Sequence, residues 1–346
     1  MTQSTLSTPP PAAILRPGRR NLITDVPGLR IGQAQDEAAR TGVTVILPDR
    51  ACVCAVDVRG GGPGTRETDL LAADTLVEGV DAITLSGGSV YGLAAADGVV
   101  AWLASQGRGF SFRSTGVTAP IVPGAILFDL ANGGDKGWGL DPPYRGLGIE
   151  AARNADRSFA LGSQGAGLGA VAGSFQGGVG SASVVTREGV TVGALAAVNS
   201  LGAVVGADRR FFAGALELDG EFGGLGPSIA PQTGDHWPFA KLDPEPRQNT
   251  TIACIATDAA LTRGEARRIA IMAQDGLARA IRPIHTPFDG DVVFVLSTGD
   301  KAMDEPRPVA IARLGTLAAD TLARAVARGV FAATGWPGGA PAFNTL

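Results

Sequence analysis

Histidine is nearly absent. His236 and His285 are the only two in 346 residues, so a histidine-built metal site is not expected. A serine–histidine–aspartate arrangement has one base in a plausible motif, "IHTPFDGD", and no G-x-S-x-G nucleophile turn accompanies it. Cysteine is scarce too: Cys52, Cys54 and Cys254 are the full set. The first two lie two apart in a β-rich run, which is neither a zinc nor a thioredoxin spacing. Cys254 falls in mid-strand. The three read as buried free thiols of a reducing compartment, so a cytoplasmic location is the expectation. No basic block stands out against a net charge of −4, which argues against a nucleic-acid partner. No uncharged apolar run reaches the roughly 18 residues of a membrane helix, so no membrane partner is expected.

What is plentiful is glycine, 50 residues in a chain that is 45% hydrophobic. Much of it sits in pairs and triples inside apolar sequence, which favours tight turns and close backbone packing over a flexible linker. The opening "MTQSTLSTPPPAAILRPGRRN" is polar and proline-rich and lacks the apolar core of a secretory signal, so residues 1–21 are expected to form a disordered tail. From 22 to 346 no composition break separates two domains, and a single domain is expected.

Order is expected from Leu22. "LRIGQAQ", "TGVTVILPD" and "ACVCAVDVRG" read as strands in which β-branched residues alternate. "DAITLSGGSVYGLAAADGVVAWLASQG" reads as a short strand, a glycine turn and a helix from about Ser89 to Ser105. "VPGAILFDLANGG" contains another strand, and residues 146–157 are mixed. "GSASVVT", "VTVGALAAVNSLG" and "AVVGA" read as three more strands. After a polar linker come a strand at 251–257, a helix opened by the capping box Thr262 and Glu265, the strand "GDVVFVLSTGD" and a last helix. Strands in runs with helices packed over them predict a layered α/β or α+β domain.

Two glycine motifs invite a nucleotide and do not fit one. "GGGPGTRETD" has Arg66 and Glu67 where a Walker loop needs Lys-Ser or Lys-Thr. "SGGSVYGL" lies between strand and helix, but without the dinucleotide spacing. It reads instead as a helix N-terminus whose backbone N–H groups can meet a carboxylate or an oxyanion, or as tight strand–helix packing.

An enzyme this poor in histidine needs another general base. A chain-terminal amine is one, since its reference pKa near 8 leaves part of it neutral near working pH, and it is carried by the nucleophile itself. "RQNTTIACIATD" offers such a terminus: Asn249, Thr250 and Thr251 stand at the head of an apolar strand after an unpatterned linker. If Thr250 attacks its own preceding carbonyl and water releases the ester, Thr250 becomes a free terminus. Plain β propensity accounts for Thr-Thr at a strand start equally well.

These motifs, with "DVRGGGPGTRETDLL", "VPGAILFDL", "GSAS", "VGALAAVNSLG" and "HTPFDGD", together resemble the DmpA-type aminopeptidases and nylon-oligomer hydrolases, from about Leu22 to Arg328. The resemblance implies an α+β fold, specifically the αββα four-layer sandwich also found in ornithine acetyltransferases. It implies autocleavage into 1–249 and 250–346, homo-oligomers of tetramer size or larger, and no metal or cofactor. Asn249–Thr250 matches the bond that the nylon hydrolases cut. Asn199 matches the asparagine credited with the oxyanion site. Asp289 and Asp291, which alternate on an extended segment, match a carboxylate pair beside the nucleophile; an Asp-Gly turn is their plain structural reading.

Two family groups are missing. Ser174, or Gln176 on a two-residue shift, stands where relatives carry a lysine, and Phe128 stands where the nylon hydrolases have a tyrosine. Lys136 and Lys241, the nearest lysines along the chain, lie in no matching motif. The expected activity is hydrolysis of short peptides, amino-acid amides or ω-amino-acid oligomers. The alternatives are an acyltransferase of the ornithine-acetyltransferase type, whose Ala-Thr-Met-Leu-like site is absent, and an unprocessed inactive homologue.

Overall fold

The computed structural model describes residues 15–111, 114–230, 237–241, 249–303 and 305–345. Most of its strands belong to two five-stranded sheets. The first is built from β1 (Leu29–Asp36), β2 (Thr41–Pro48), β4 (Thr65–Arg66), β5 (Ile83–Ser86) and β6 (Gly124–Ile126), in the order β1-β2-β5-β6-β4. The second holds β3 (Val53–Val58), β7 (Gly178–Val185), β8 (Thr191–Asn199), β9 (Thr250–Ala259) and β10 (Val292–Lys301), in the order β7-β8-β9-β10-β3. Within these two sheets β5–β6 and β9–β10 pair in parallel, and the other ladders are antiparallel.

Among the described residues there are four α-helices: α1 (Ala94–Ser105), α2 (Tyr144–Arg153), α3 (Arg263–Ala280) and α4 (Arg307–Phe331). Helices α1 and α2 pack on each other and on the first sheet, while α3 and α4 do the same on the second. Three apolar clusters follow. Val45 and Leu47 meet Val99, Leu103 and Leu147. Ile31, Ile46 and Leu85 of the first sheet meet Leu195, Cys254 and Phe294 of the second. Ala196 and Ile255 meet Ile269 and Leu322 of α3 and α4. The result is a mixed α/β fold. Strands β2, β8 and β9 are buried at every position. A strand covered on both faces has no solvent side, which is why these segments read as near-continuous apolar runs rather than clean alternation.

Local chemistry sets the helices. Thr262 Oγ1 accepts from the Glu265 N–H at 3.3 Å, and Glu265 accepts from the Thr262 N–H at 2.8 Å, so the expected capping box closes and contributes about 1 kcal/mol. Backbone contact seats α4 on β7. A Cβ at Gly180 would lie 1.8 Å from the Ala325 carbonyl oxygen and 2.4 Å from the Gly329 nitrogen, so only glycine permits this approach.

Some elements differ from expectation. The helix expected from Ser89 begins as a 3₁₀ turn, Ser89–Leu93, before α1. The mixed 146–157 stretch holds α2; its glycines lower helix propensity, and packing of Tyr144, Leu147 and Ala151 overrides it. "AVVGA" is not a ladder strand: Ala203 and Val205 make isolated bridges to Arg282 and Phe211. Of the expected tail, residues 1–14 lie outside the described residues, but order starts before Leu22. Arg16 bridges Val185, Gly18 N–H donates to Ser183 Oγ at 3.1 Å, and Asn21 Oδ1 accepts from Arg324 at 2.9 Å. The three cysteines are buried and unpaired. No helix among the described residues is long and apolar enough to cross a membrane.

Candidate active site

Strand β9 starts at Thr250, which is 2% exposed. Its antiparallel register on β8 sets Thr250 opposite Asn199 and Thr251 opposite Val198. Directly opposed residues share a face of the sheet, and neighbours along a strand do not. Thr250 and Asn199 therefore look one way and Thr251 the other, where its buried hydroxyl has no hydrogen-bond partner among the described residues.

The preceding carbonyl is the centre of the site. The Thr250 hydroxyl donates to the Asn249 carbonyl oxygen at 2.5 Å, and the Gly290 N–H donates to the same oxygen at 2.8 Å. Asn249 forms a parallel bridge with Asp289, which brings the 286–291 loop alongside. That approach requires glycine: a Cβ at Gly290 would stand 2.7 Å from Thr250 Oγ1 and 2.8 Å from the Gly62 carbonyl oxygen.

The "RGGGPG" stretch is the backing of this loop, not a phosphate cradle. Arg59 N–H donates to the Asp291 carbonyl at 3.0 Å, Gly61 N–H to Thr286 at 3.2 Å and Gly62 N–H to Asp289 at 2.8 Å. "LSGGSVYGL" does bind a carboxylate through its amides, but one from its own chain. Gly88 N–H donates to Asp129 Oδ1 at 2.7 Å, while Gly87 and Ser89 N–H groups are taken by the Gly42 and Leu127 carbonyls. Burial pushes the Asp129 carboxyl up to about 6, against its bonds to Thr41 and Gly88.

Asp289 and Asp291 are both fully buried beside Thr250, yet their hydrogen bonds organise the surrounding backbone. Asp289 accepts from the Thr286 hydroxyl at 2.6 Å, the Thr286 N–H at 2.9 Å and the Leu201 N–H at 3.4 Å. Asp291 accepts from the Thr251 N–H at 2.8 Å and pairs with His285 Nδ1 at 2.8 Å. Burial, then the neighbouring Asp291, holds the Asp289 carboxyl above its ordinary range, with the Thr286 bonds opposing. His285, set aside as a triad base, thus pairs with Asp291 rather than with Thr250.

Asn199 is likewise tethered: its Oδ1 accepts from the Val171 N–H and its Nδ2 donates to the Phe128 carbonyl, both at 2.9 Å. Phe128, Val171 and Asn199 line a cleft of about 260 Å³ with Asp129 and Lys241. Lys241 was not legible as a site residue. It comes from the linker, and its Nζ donates to Asn249 Oδ1 at 2.7 Å. Burial pushes its pKa down to about 7, with the Asp289 carboxylate opposing. Gln176, at the position expected for a lysine, is spent on the Leu168 and Ala170 carbonyls, and Ser174 N–H is bonded to the Phe239 carbonyl.

A hydroxyl against a carbonyl whose oxygen also receives a backbone N–H is equipment for acyl transfer at an amide. Comparison with known proteins gives the class, the peptide-bond hydrolases. The family is particular: the model for peptidase family S58 matches residues 21–341, and the chain belongs to that family. It is 46% identical over 337 residues to an uncharacterized aminopeptidase of Mycobacterium bovis, covering 90% of this chain and 93% of that one. It is 30% identical over 294 residues to a 6-aminohexanoate-oligomer endohydrolase of Kocuria, covering 82% and 76%. Its fold is similar to the L-aminopeptidase D-Ala-esterase/amidase of Ochrobactrum anthropi, described as a variant of the Ntn hydrolase fold. The TM-score is 0.68 at 22% identity, with 92% of this chain and 88% of that one covered. The chain is thus a peptide-bond hydrolase, similar to aminopeptidases and nylon-oligomer hydrolases alike.

Proposed function

We propose that the chain cuts its own Asn249–Thr250 bond and that the freed Thr250 hydrolyses short peptides, amino-acid amides or ω-amino-acid oligomers. The observation that carries this reading is the Asn249 carbonyl oxygen, held between Thr250 Oγ1 at 2.5 Å and Gly290 N–H at 2.8 Å. Attack of Oγ on the Asn249 carbonyl carbon turns that oxygen into an oxyanion, and the Gly290 N–H is already aimed at it. One such donor is worth roughly 3 kcal/mol. The C–N bond then breaks, the proton passes to the Thr250 nitrogen, and water hydrolyses the ester to leave an Asn249 carboxylate and a free amine.

In the cut enzyme the Thr250 amine serves as base for its own hydroxyl. The hydroxyl attacks a substrate amide, the leaving amine takes the proton, and water releases the acyl group. Asn199, opposite Thr250, is the side-chain donor nearest in register for the second oxyanion; Asp289 and Asp291 hold the backbone around the nucleophile. The family resemblance extends the reading to an αββα layer order and a homo-oligomer of tetramer size or larger, and the buried thiols to a cytoplasmic setting.

The test is the mass and terminal sequence of the purified protein. Residue shares of the 35.0 kDa chain give pieces of about 25 and about 10 kDa. The smaller is expected to begin Thr-Thr-Ile-Ala. A single intact species without amidase activity, or a different start, removes the reading.

A further inference from the structure

Asn249 is held in an uneven way. Its side chain is fully buried, its Nδ2 has no hydrogen-bond partner among the described residues, and its Oδ1 accepts from Lys241 Nζ at 2.7 Å. The lysine is itself placed by the fold: its N–H donates to the Leu201 carbonyl at 3.0 Å, and the Leu201 N–H in turn donates to Asp289. A linker residue is thereby locked to the exit of β8, with its side chain reaching the residue on the acyl side of the proposed cut.

We propose that Lys241 is the positioning residue for self-cleavage: its ammonium clamps the Asn249 side chain so that the Asn249 carbonyl stays between the Thr250 hydroxyl and the Gly290 N–H. The inference rests on the reading that Asn249–Thr250 is the bond cut. Among the described residues no other side-chain bond fixes the Asn249 rotamer, and rotation about Cα–Cβ is coupled to the backbone that carries the carbonyl. A charged donor supplies that anchor with about twice the strength of a neutral one. The role is distinct from that of Gly290, which touches the reacting oxygen itself. It also assigns to a different segment a cation that neither Ser174 nor Gln176 can supply.

Among the described residues, two charged groups face Lys241. Asp289, on the adjoining loop, is the charge that acts on it, and Asp129 lines the same cleft while bonded to Thr41 and Gly88. Burial brings the lysine to titrate at about 7, so the clamp is charged below neutrality and neutral above it.

The experiment follows maturation of the full-length chain, made by cell-free synthesis and exchanged into buffers from about pH 6 to about pH 8.5. Intact mass and denaturing gels report the cut. Lys241→Met is expected to slow cleavage about tenfold or more. Lys241→Arg keeps a permanent cation and keeps cleavage. Its rate relative to the parent rises as the pH passes upward through 7, because only the parent loses its charge. A purely structural lysine would give a flat ratio. Asn249→Leu removes the acceptor at similar volume and is expected to slow cleavage by a similar factor, with the double variant no slower than the slower single one. Cleavage of Lys241→Met at the parent rate, or a flat Arg-to-parent ratio, overturns the inference. If Lys241→Met fails to fold by circular dichroism, Asn249→Leu decides: maturation at the parent rate overturns the clamp and a slow rate supports it. A parent that is never cut at 249–250 instead removes the proposed function, a separate and visible outcome.

Discussion

The two ends of β9 carry the same residue types in opposite states. At its far end, Asp258 is buried and forms an ion pair with Lys301 at 3.1 Å, and its other oxygen accepts from the Thr191 N–H at 2.8 Å. Nearby, Arg313 is shared by Glu188 and Glu305. Lys301, Glu188, Glu305 and Arg313 line a cleft of about 310 Å³. At the Thr250 end the cleft is smaller, and Lys241 has no ion-pair partner among the described residues; it holds a neutral amide instead. The nearby carboxylates Asp289 and Asp291 bond to a hydroxyl, an imidazole and backbone N–H groups. Cleft size does not locate the chemistry. At the Thr250 end burial shifts Lys241 down and Asp289 up, each toward its neutral form, whereas at the far end Glu188 and Arg313 hold each other in their charged forms; groups poised toward neutrality mark a site built to change state.

The strongest way to break this comparison is to remove the hydroxyl from one end of β9. Thr250→Ala is expected to leave a folded, uncut chain with no release of p-nitroaniline from an amino-acid anilide, while Asp258→Asn at the other end matures normally. Thr250→Ser restores a hydroxyl and is expected to cut again. An Ala variant that matures and turns over would return the two ends to equal standing.

Gly290→Ala gives the next largest effect. Its methyl group would lie 2.7 Å from Thr250 Oγ1, so hydroxyl or donor has to move. Loss of an oxyanion donor's alignment is expected to slow cleavage about a hundredfold, read by intact mass over time. Cleavage at the parent rate would mean that the Gly290 N–H is not the donor.

Stability gives the smallest effect and the sharpest contrast, because the two lysines are expected to act with opposite signs. Lys301→Met strands a buried carboxylate and is expected to cost about 1–2 kcal/mol, the buried-pair figure discounted for the lysine's exposure. Lys241→Met, measured in the uncut Thr250→Ala chain, is expected to raise the melting temperature. The sign follows from linkage: the folded pKa of about 7 lies below the unfolded value near 10.4, so the unfolded chain binds more protons between those values. The penalty of burying Lys241 is therefore fully present below pH 7 and fades as the pH rises through that window. The gain should be largest near pH 6 and shrink toward pH 10, and a loss of melting temperature at every pH would show that Lys241 is a structural pair like Lys301.

Much of the frame was legible along the chain because it is written in short-range terms. The capping box at Thr262 and Glu265 depends on residues three apart, and both bonds are present. The apolar runs of β8, β9 and β10 announced strands, and their register sets Thr250 opposite Asn199, with Asp289 and Asp291 on the loop that enters β10. Helix α2 was not legible, since its two glycines argue against a helix and only packing on α1 and the first sheet supports it. "AVVGA" misled because a buried apolar run need not have a strand to pair with.

By itself the sequence determined the strand and helix periods, the absence of a histidine-rich site, and the Asn249–Thr250 junction at the head of an apolar strand. Each of these is a property of neighbours in the chain. Only the tertiary structure decided which amide faces the Asn249 carbonyl, that the two aspartates hold backbone rather than the hydroxyl, and that a linker lysine reaches Asn249. Those three depend on where the 286–291 loop and residue 241 come to rest against β8 and β9, and the contacts that place them join residues 40 or more positions apart, beyond the reach of any local pattern.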